Sequence, residues 1–295
     1  MRHGVNMQYF GSEYAMLICS FNWVWNVVYL PGKSNGGGFG TLVPAGDGME
    51  VDMSEAKPES KAQYKRILLK ISGEALAGEK KSGLDFGVIG RVCAAVKKCV
   101  ELGVEVGIVV GGGNFWRGVQ DSGGKIERTR ADHMGMMATV MNCLALADTL
   151  EQMSVPVRVQ TALEIKAVAE PYIRLKADKH LKNGRVVIFG CGTGSPYFST
   201  DTAAVLRAAE IGAEVILLAK NIDGVYTADP KLDPEARKLD SISYSDMLAQ
   251  RLAVMDSTAT SLSMDNDIPV ILFALEDPEN IVRVVTGEKV GTIVG

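Results

Sequence analysis

Val109-Val110-Gly111-Gly112-Gly113-Asn114 is a short apolar strand pattern that runs into three glycines. Because glycine has no side chain, backbone N–H groups in such a turn can approach an anion closely, and a helix after the turn adds the positive end of its dipole. A second turn, Gly190-Cys-Gly-Thr-Gly-Ser195, follows the apolar Val187-Ile188-Phe189, and a third, Lys70-Ile-Ser-Gly73, ends another apolar run. Three such turns predict one sheet that holds two phosphorylated ligands face to face. That geometry favours phosphoryl transfer.

The pattern of the chain from Lys65 onward predicts an α/β fold, because apolar runs of strand length alternate with segments of helical spacing. The predicted strands are Arg66–Ile71, Glu105–Val110, Val155–Val159, Arg185–Phe189, Glu214–Leu218 and Pro269–Phe273. The predicted helices include Val88–Val100, Met134–Met153, Tyr172–Leu181, Asp201–Ile211, with Gly212 as its C-terminal cap, and Pro278–Val285. We expect a three-layer αβα sandwich with a mostly parallel central sheet, and ligands at the carboxyl ends of its strands. The residues Met134, Met136, Met137 and Met141 are expected to pack in the core.

The composition limits the classes of function. The chain has 295 residues, of which 47% are hydrophobic and 22% charged, as in ordinary globular proteins. A net charge of -4 argues against non-specific nucleic-acid binding as the main activity. The five cysteines form no CxxC pair and the three histidines are far apart, so we expect a reducing compartment, no disulfide framework and no metal held by side chains alone.

Residues 1–62 differ from the rest of the chain. Tyr14–Leu30 is uncharged and rich in aromatic residues, but it is short for a membrane span, and no convincing signal-peptide cleavage site follows it. We expect residues 1–62 to be a poorly ordered extension or an over-long start, with Met49 or Met53 as the true beginning. The alternative is an anchor or partner-binding segment. Residues 63–295 are expected to form the functional domain.

The turns at Gly111–Gly113 and Gly190–Ser195 match neither G-x-x-x-x-G-K-[ST] nor a complete G-x-G-x-x-G with its acidic residue. This disfavours the two commonest nucleotide-binding folds. The chain instead resembles the bacterial-type uridylate (UMP) kinases of the amino acid kinase superfamily. The resemblance is carried, in order, by Lys70–Leu76, Gly111–Gly118, Asp132–Met136, Gly192–Asp201 and Asp223–Pro230. It extends over essentially everything from Tyr64 to Gly295.

The resemblance implies reversible transfer of the ATP γ-phosphoryl group to UMP, giving ADP and UDP, in pyrimidine nucleotide biosynthesis. It also implies Mg²⁺ carried by ATP, a cytoplasmic homohexamer, activation by GTP and inhibition by UTP, with no nucleic-acid or membrane partner. The phosphate of UMP is already ionised at neutral pH, so the reaction needs no general base. Its difficulty is repulsion between anions. Catalysis should therefore depend on fixed cations and backbone N–H groups that hold donor and acceptor in line.

Lys70, Arg117 and Asp201 are the predicted catalytic residues. Lys70 ends its strand beside a Ser-Gly turn and suits the transferring phosphoryl group, while the guanidinium fork of Arg117 suits phosphate oxygens. Asp201 has two interpretations: it stabilises the dipole of the helix it begins, or it orients Lys70 or the metal. Lys220 is a candidate second phosphate cation that the resemblance does not align.

The resemblance also implies two sets of binding residues. The ATP side consists of Lys70, Ile71, Ser72, Gly73, Gly113, Arg117, Asn221, Tyr226 and Asp229, with Tyr226 against adenine. The UMP side consists of Gly112, Asp132, Thr193, Gly194, Ser195, Pro196, Tyr197, Phe198, Ser199 and Thr200. Asp132 would accept from the ribose hydroxyls, and Ser199 or Thr200 also fits the N-cap of the following helix. Ser195 departs from the asparagine that relatives often have there, and the loop 77–85, near an effector site in some relatives, is variable.

Two other functions remain open from the sequence. The same fold serves acceptors such as a carboxylate, a carbamate or isopentenyl phosphate, although a phosphate plus a ribose suits Asp132 and the loop 192–200 better. A non-catalytic nucleotide sensor on the same scaffold is the second alternative, because a fold does not fix a function. The presence of Lys70, Arg117 and Asp201 argues against the sensor.

Overall fold

The chain divides into two compact units, Met1–Glu55 and Ala56–Gly295. The computed structural model describes residues 62–80, 82–117, 123–228, 230, 232–233, 235–250, 252 and 254–295, together with the backbone of three strands before residue 32.

In the first unit, strands β1 (Asn6–Tyr9), β2 (Tyr14–Phe21) and β3 (Val24–Pro31) form an antiparallel sheet with β2 in the centre. Strands β2 and β3 take up the uncharged, aromatic-rich segment. The interpretation of residues 1–62 as an extension or an over-long start stays a prediction. Its two alternative starts, Met49 and Met53, lie outside the described residues.

The second unit is built on a nine-stranded sheet in the order β12-β14-β13-β9-β4-β5-β8-β6-β7. Its strands are β4 (Arg66–Ile71), β5 (Glu105–Val110), β6 (Val157–Thr161), β7 (Glu170–Pro171), β8 (Val186–Gly190), β9 (Val215–Lys220), β12 (Ser241–Ile242), β13 (Val270–Ala274) and β14 (Thr292–Val294). A separate antiparallel pair is formed by β10 (Val225–Tyr226) and β11 (Lys238–Leu239). All neighbours in the large sheet are parallel except β13 and β14. The prediction of a mostly parallel sheet is confirmed.

Helices cover both faces of this sheet. They are α1 (Phe86–Glu101), α2 (Arg128–Gln152), α3 (Arg174–Lys182), α4 (Thr200–Ile211), α5 (Tyr244–Ala249), α6 (Ser257–Asp265) and α7 (Glu279–Val285), preceded by a 3-10 helix at Gly73–Lys80. One core cluster packs α1, α2 and α7 on one face, and a second packs α3, α4, α5 and α6 on the other. Because successive strand residues face opposite sides, β4 supplies Ile67 and Leu69 to the first cluster and Leu68 to the second. The three-layer αβα sandwich is confirmed.

Helix α2 is longer than predicted and exposes residues that were expected to be buried. It begins at Arg128 because the side chain of Glu127 accepts from two N–H groups of the first turn, a role for which glutamate is not a preferred residue. Met136 is buried, but Met134, Met137 and Met141 are 41%, 40% and 46% exposed. The core prediction is therefore wrong for three of the four methionines.

The predicted C-terminal cap of helix α4 agrees with the structure. Gly212 ends α4 in the left-handed conformation at φ 65°. Cys93, Cys99, Cys143 and Cys191, the cysteines among the described residues, are free and buried. Over the described residues, no helix combines the length and the apolar character needed to cross a membrane.

Candidate active site

Four neighbouring parallel strands, β9, β4, β5 and β8, end at the same edge of the sheet. The loops after them start at Asn221, Ser72, Gly111 and Cys191, so the three glycine-rich turns and the Asn221 loop meet there. The carboxyl end of a parallel sheet is where α/β proteins bind ligands. The sequence-predicted site therefore lies at one edge of one sheet.

The glycine turns are packed too closely for larger residues. A Cβ atom on Gly73 would lie 2.5 Å from the carbonyl oxygen of Gly111. A Cβ atom on Gly112 would lie 2.8 Å from both the Cβ of Ala138 and the carbonyl oxygen of Gly135 on helix α2. These approaches hold the backbone of the turn against the end of β4 and against α2, and a side chain at either glycine would force the packed segments apart.

The charged centre of the site is a triad formed by the buried Lys70 and Asp201 with the half-buried Lys220. The Nζ of Lys70 lies 2.6 Å from one carboxylate oxygen of Asp201, and the Nζ of Lys220 lies 2.8 Å from the other. Lys70 and Asp201 are 6% and 9% exposed, so the pair is nearly removed from solvent. Lys220 also donates to the carbonyl oxygen of Val254. The triad carries a net charge of one positive unit, which suits a phosphate.

Burial and charge act against each other in the triad. Burial raises the pKa of Asp201, but the ammonium groups of Lys70 and Lys220 outweigh it and hold that pKa below its usual value. Burial also lowers the pKa of Lys70, and the neighbouring charge of Lys220 lowers it further, while Asp201 opposes both. The carboxylate of Asp201 therefore opposes the loss of the Lys70 proton that burial favours.

Helix α4 delivers Asp201 to the triad. Ser199 caps the helix: its Oγ accepts from the N–H groups of Asp201 and Thr202, each at 3.0 Å. The same Oγ donates to Asp256, which also accepts from the hydroxyl of Thr202 at 3.1 Å and caps helix α6. The prediction that Ser199 fits the N-cap is confirmed. Asp201 thus lies in the first turn of a helix and also holds two lysines, so its two interpretations from the sequence are compatible.

The loop between β8 and α4 is tied to helix α2. The N–H of Tyr197 donates to Asp132 at 2.8 Å, and Arg128 pairs with the same carboxylate at 2.8 Å while its guanidinium lies 5.0 Å from the centre of the Tyr197 ring. Tyr197 has φ 73°, an uncommon conformation for a residue with a Cβ. The loop is thus held across the N-terminal end of α2.

Two adjoining cavities open beside this loop. The Asp132 cavity, of about 240 Å³, lies between α2 and the loop, and the Lys70 cavity, of about 430 Å³, lies over the triad. Gly112, Ser199 and Thr200 line both. Two ligands bound in these cavities would meet at these three residues.

The structure brings most of the predicted binding residues into these cavities. Of the predicted UMP side, the Asp132 cavity is lined by Gly112, Asp132, Thr193, Ser195, Phe198, Ser199 and Thr200. Of the predicted ATP side and catalytic set, the Lys70 cavity is lined by Lys70, Ser72, Gly73, Gly113, Asn221 and Asp201. Six predicted binding residues among the described residues line neither cavity: Ile71, Arg117, Gly194, Pro196, Tyr197 and Tyr226.

The contacts of these six residues show where each one lies instead. The side chain of Ile71 is buried in the core, and Gly194 and Pro196 belong to the tied loop. Arg117 pairs at 2.6 Å with Glu74, a lining residue of the Lys70 cavity, and the hydroxyl of Tyr226 donates to Asp223 at 3.0 Å. Asp229 lies outside the described residues.

Sequence reasoning missed several residues of the site. Trp116 and Thr139 line the Asp132 cavity, and Glu74 and Val254 line the Lys70 cavity. Glu74 and Trp116 lie inside recognised motifs, which could have identified them. Thr139 and Val254 lie in segments without a motif, and only the packing of α2 and of the segment before α6 brings them to the site.

No group of three histidine, cysteine, aspartate or glutamate side chains suited to a metal ion occurs among the described residues. In the Lys70 cavity, both carboxylate oxygens of Asp201 are engaged by lysines. Such a donor set fits a Mg²⁺ ion whose ligands come largely from nucleotide phosphates and water.

Comparison with known proteins agrees with this geometry. The model of the amino acid kinase family matches residues 65–276. The chain is similar to the UMP kinase from Bacillus anthracis, with 40% identity over 79% of this chain and 96% of that one and a TM-score of 0.76. It is also similar to the UMP kinase from Ureaplasma parvum, with 39% identity, 78% and 98% coverage and a TM-score of 0.74. The uridylate kinase from Archaeoglobus fulgidus is 28% identical, over 78% and 99%, with a TM-score of 0.62.

Proposed function

The chain belongs to the amino acid kinase family, and from that premise we propose that it transfers the γ-phosphoryl group of ATP to UMP, giving ADP and UDP. The observation that carries the proposal is the pair of cavities that meet at Gly112, Ser199 and Thr200. The two UMP kinases that are about 40% identical to the chain support UMP as the acceptor.

We assign UMP to the Asp132 cavity and the phosphates of ATP to the Lys70 cavity. Asp132 offers a two-oxygen acceptor for ribose hydroxyls, whereas the Lys70 cavity offers the positive triad. Because Asp132 already accepts from Arg128 and from the N–H of Tyr197, the bound ribose would join or replace these contacts. Acceptor binding and the position of the loop are thereby linked.

In the reaction, an ionised phosphate oxygen of UMP forms a bond to the γ-phosphorus of ATP. The bond from that phosphorus to the β,γ-bridging oxygen breaks, and its electron pair leaves with ADP. No proton has to be moved. Lys70 and Lys220 neutralise charge on the transferring group, Asp201 keeps both lysines in position, and the N–H groups of Gly112 and Gly113 contribute fixed partial charges.

Mg²⁺ bound with ATP supplies further charge neutralisation on the phosphates. Asp201 and Glu74 are the acidic side chains that line the Lys70 cavity, so they are the carboxylates that would lie nearest the ATP-bound ion. Arg117 reaches the rim of this cavity through Glu74 and is expected to turn to the phosphates when ATP binds.

A purified-protein assay tests the proposal. ADP formation is measured with ATP and, in turn, UMP, CMP, dTMP, aspartate and acetylglutamate. We expect the highest kcat/KM with UMP, and a large loss of kcat on Lys70→Met at unchanged helical content. Equal or greater turnover with another acceptor would refute the UMP assignment, and binding of ATP and UMP without turnover would favour the nucleotide sensor.

The exposed face of α2 supports a homo-oligomer. Met134, Met137, Met141 and Leu144 are spaced by three, four and three residues, so they form one stripe along the helix, and each is at least 37% exposed. In a symmetric dimer the same surface of both copies forms the interface, so the stripe of one copy packs against the stripe of the other and both are buried. We propose a second copy of the chain as its occupant. The hexameric state, the regulation by GTP and UTP and the cytoplasmic location stay predictions.

A further inference from the structure

Two buried asparagines lie directly beneath the Gly111–Gly113 turn. Asn114 ends the turn and is 2% exposed, and Asn142 lies on helix α2 and is fully buried. Their amides bond to each other reciprocally: Asn114 Nδ2 donates to Asn142 Oδ1 at 2.9 Å, and Asn142 Nδ2 donates to Asn114 Oδ1 at 2.7 Å. Burying a side-chain amide costs free energy unless its N–H and C=O groups form hydrogen bonds. A buried amide pair with all its donors bonded is therefore expected to serve a structural purpose.

Each amide nitrogen has a second hydrogen, and both second hydrogens go to the backbone. Asn142 Nδ2 donates to the carbonyl oxygen of Gly111 at 2.6 Å. Asn114 Nδ2 donates to the carbonyl oxygen of Gly83 at 2.8 Å, and the N–H of Gly83 returns a bond to the carbonyl oxygen of Asn114 at 2.9 Å. All four donor hydrogens of the pair are therefore used.

The bond to Gly111 determines which way the next N–H points. A trans peptide is planar, so its carbonyl and its N–H point in opposite directions, and there is no cis peptide in the described residues. When Asn142 holds the carbonyl of Gly111 toward the protein interior, the N–H of Gly112 is directed away from it. Gly112 lines both cavities, at the place where the proposed acceptor and donor phosphates meet.

A glycine turn would not hold this direction without such an anchor. Glycine populates both signs of φ with little preference, so a run of three glycines lets its peptide planes rotate. We propose that the Asn114–Asn142 pair is a positioning device for phosphoryl transfer: it locks the Gly111–Gly112 peptide so that the Gly112 N–H faces the transferring or acceptor phosphate. This inference rests on the proposed function for the ligands, but the locking of the turn does not depend on it.

The test compares Asn142→Ala with Leu146→Ala. Leu146 lies one turn further along α2, is fully buried in the core and lines neither cavity, so its truncation lowers stability without removing the anchor. Removing a preorganised N–H donor from a transition state costs about a hundredfold or more in kcat, so loss of its anchor is expected to cost about tenfold to a hundredfold. We expect this loss for Asn142→Ala, and a change within about twofold for Leu146→Ala at a similar fall in Tm.

Two further measurements separate the outcomes. Hydrogen–deuterium exchange of the peptide that spans the turn should rise in Asn142→Ala and stay near wild type in Leu146→Ala. The variant Asn114→Ala removes the support of Asn142 but leaves its bond to Gly111, so it should show a smaller loss of kcat, and the double variant should lose no more than Asn142→Ala alone. Asn114→Ala also keeps the test informative if Asn142→Ala fails to fold.

Equal kcat and equal exchange in the asparagine variants and the leucine control would overturn the inference. The proposed function fails in a different way: wild type would not turn over ATP with UMP, whatever the exchange of the turn shows.

Discussion

Removal of the carboxylate from the Lys70–Asp201–Lys220 triad should affect stability, rate and pH dependence together. The substitution Asp201→Asn keeps the size of the side chain but leaves the ammonium groups of Lys70 and Lys220 facing a neutral amide. Both ion pairs are short, at 2.6 and 2.8 Å, and the three side chains are 7%, 12% and 21% exposed. Removing one partner of a buried ion pair costs about 3–5 kcal/mol, which for a domain of this size lowers Tm by roughly 6–20 °C.

The rate is expected to fall by about a hundredfold, because the two cations lose the group that fixes them before ATP arrives. The sign of the pH effect follows from Lys70. Burial and Lys220 already lower the pKa of Lys70, and Asp201 opposes them. Without the carboxylate this pKa falls further, so Lys70 loses its charge at a lower pH, and the decline of kcat toward alkaline pH begins earlier than in wild type.

Initial rates of ADP formation at saturating ATP and UMP, measured from neutral to alkaline pH, check this prediction together with thermal unfolding. Asp246→Asn is the matched control, because Asp246 is also a first-turn aspartate but lines neither cavity. The reasoning is refuted if Asp201→Asn lowers Tm while kcat, and the pH at which kcat declines on the alkaline side, remain those of wild type. In that case the carboxylate only stabilises the fold.

Three further changes test the other parts of the site. Lys220→Met should lower kcat about tenfold or more with little change in the KM for UMP, and a rise in that KM alone would contradict its place on the donor side. Gly112→Ala should destabilise the protein by about 1–3 kcal/mol and raise the KM for UMP, because its Cβ would lie 2.8 Å from atoms of α2. The control Gly90→Ala, whose Cβ would meet no atom within 4 Å, should leave the stability measured by calorimetry unchanged or raise it. The double substitution Met137→Glu and Met141→Glu should shift the protein to smaller species in light scattering, and an unchanged mass would refute the α2 stripe as a self-association surface.

The sequence predicted the sheet and its ligand edge because their signals are local. A strand such as Arg66–Ile71 needs only an apolar run, and a glycine turn after it needs only its own residues. Helix ends were less well predicted. Helix α2 begins at Arg128, six residues before the predicted Met134, because Glu127 caps it, and a capping role for glutamate depends on its side-chain conformation rather than on its type.

Burial on helix α2 was predicted least well. Helical spacing shows that apolar residues share a face, but it does not show what that face meets. Met136 lines the Asp132 cavity and is buried, while the next residue, Met137, is exposed. The same limit applies to Asn142, whose amide reaches Gly111 across 31 residues of sequence.

By itself, the sequence determined which residues could bind phosphate: glycines after strands, a strand-end lysine and a helix-capping serine are defined by their immediate neighbours. Only the tertiary structure decided that Lys220 shares Asp201 with Lys70 and that Asn114 pairs with Asn142. The physical reason is that the strength of a charge pair or a buried amide pair depends on distances of 2.6–2.9 Å and on the exclusion of water. Both arise only when strands and helices distant in sequence pack together.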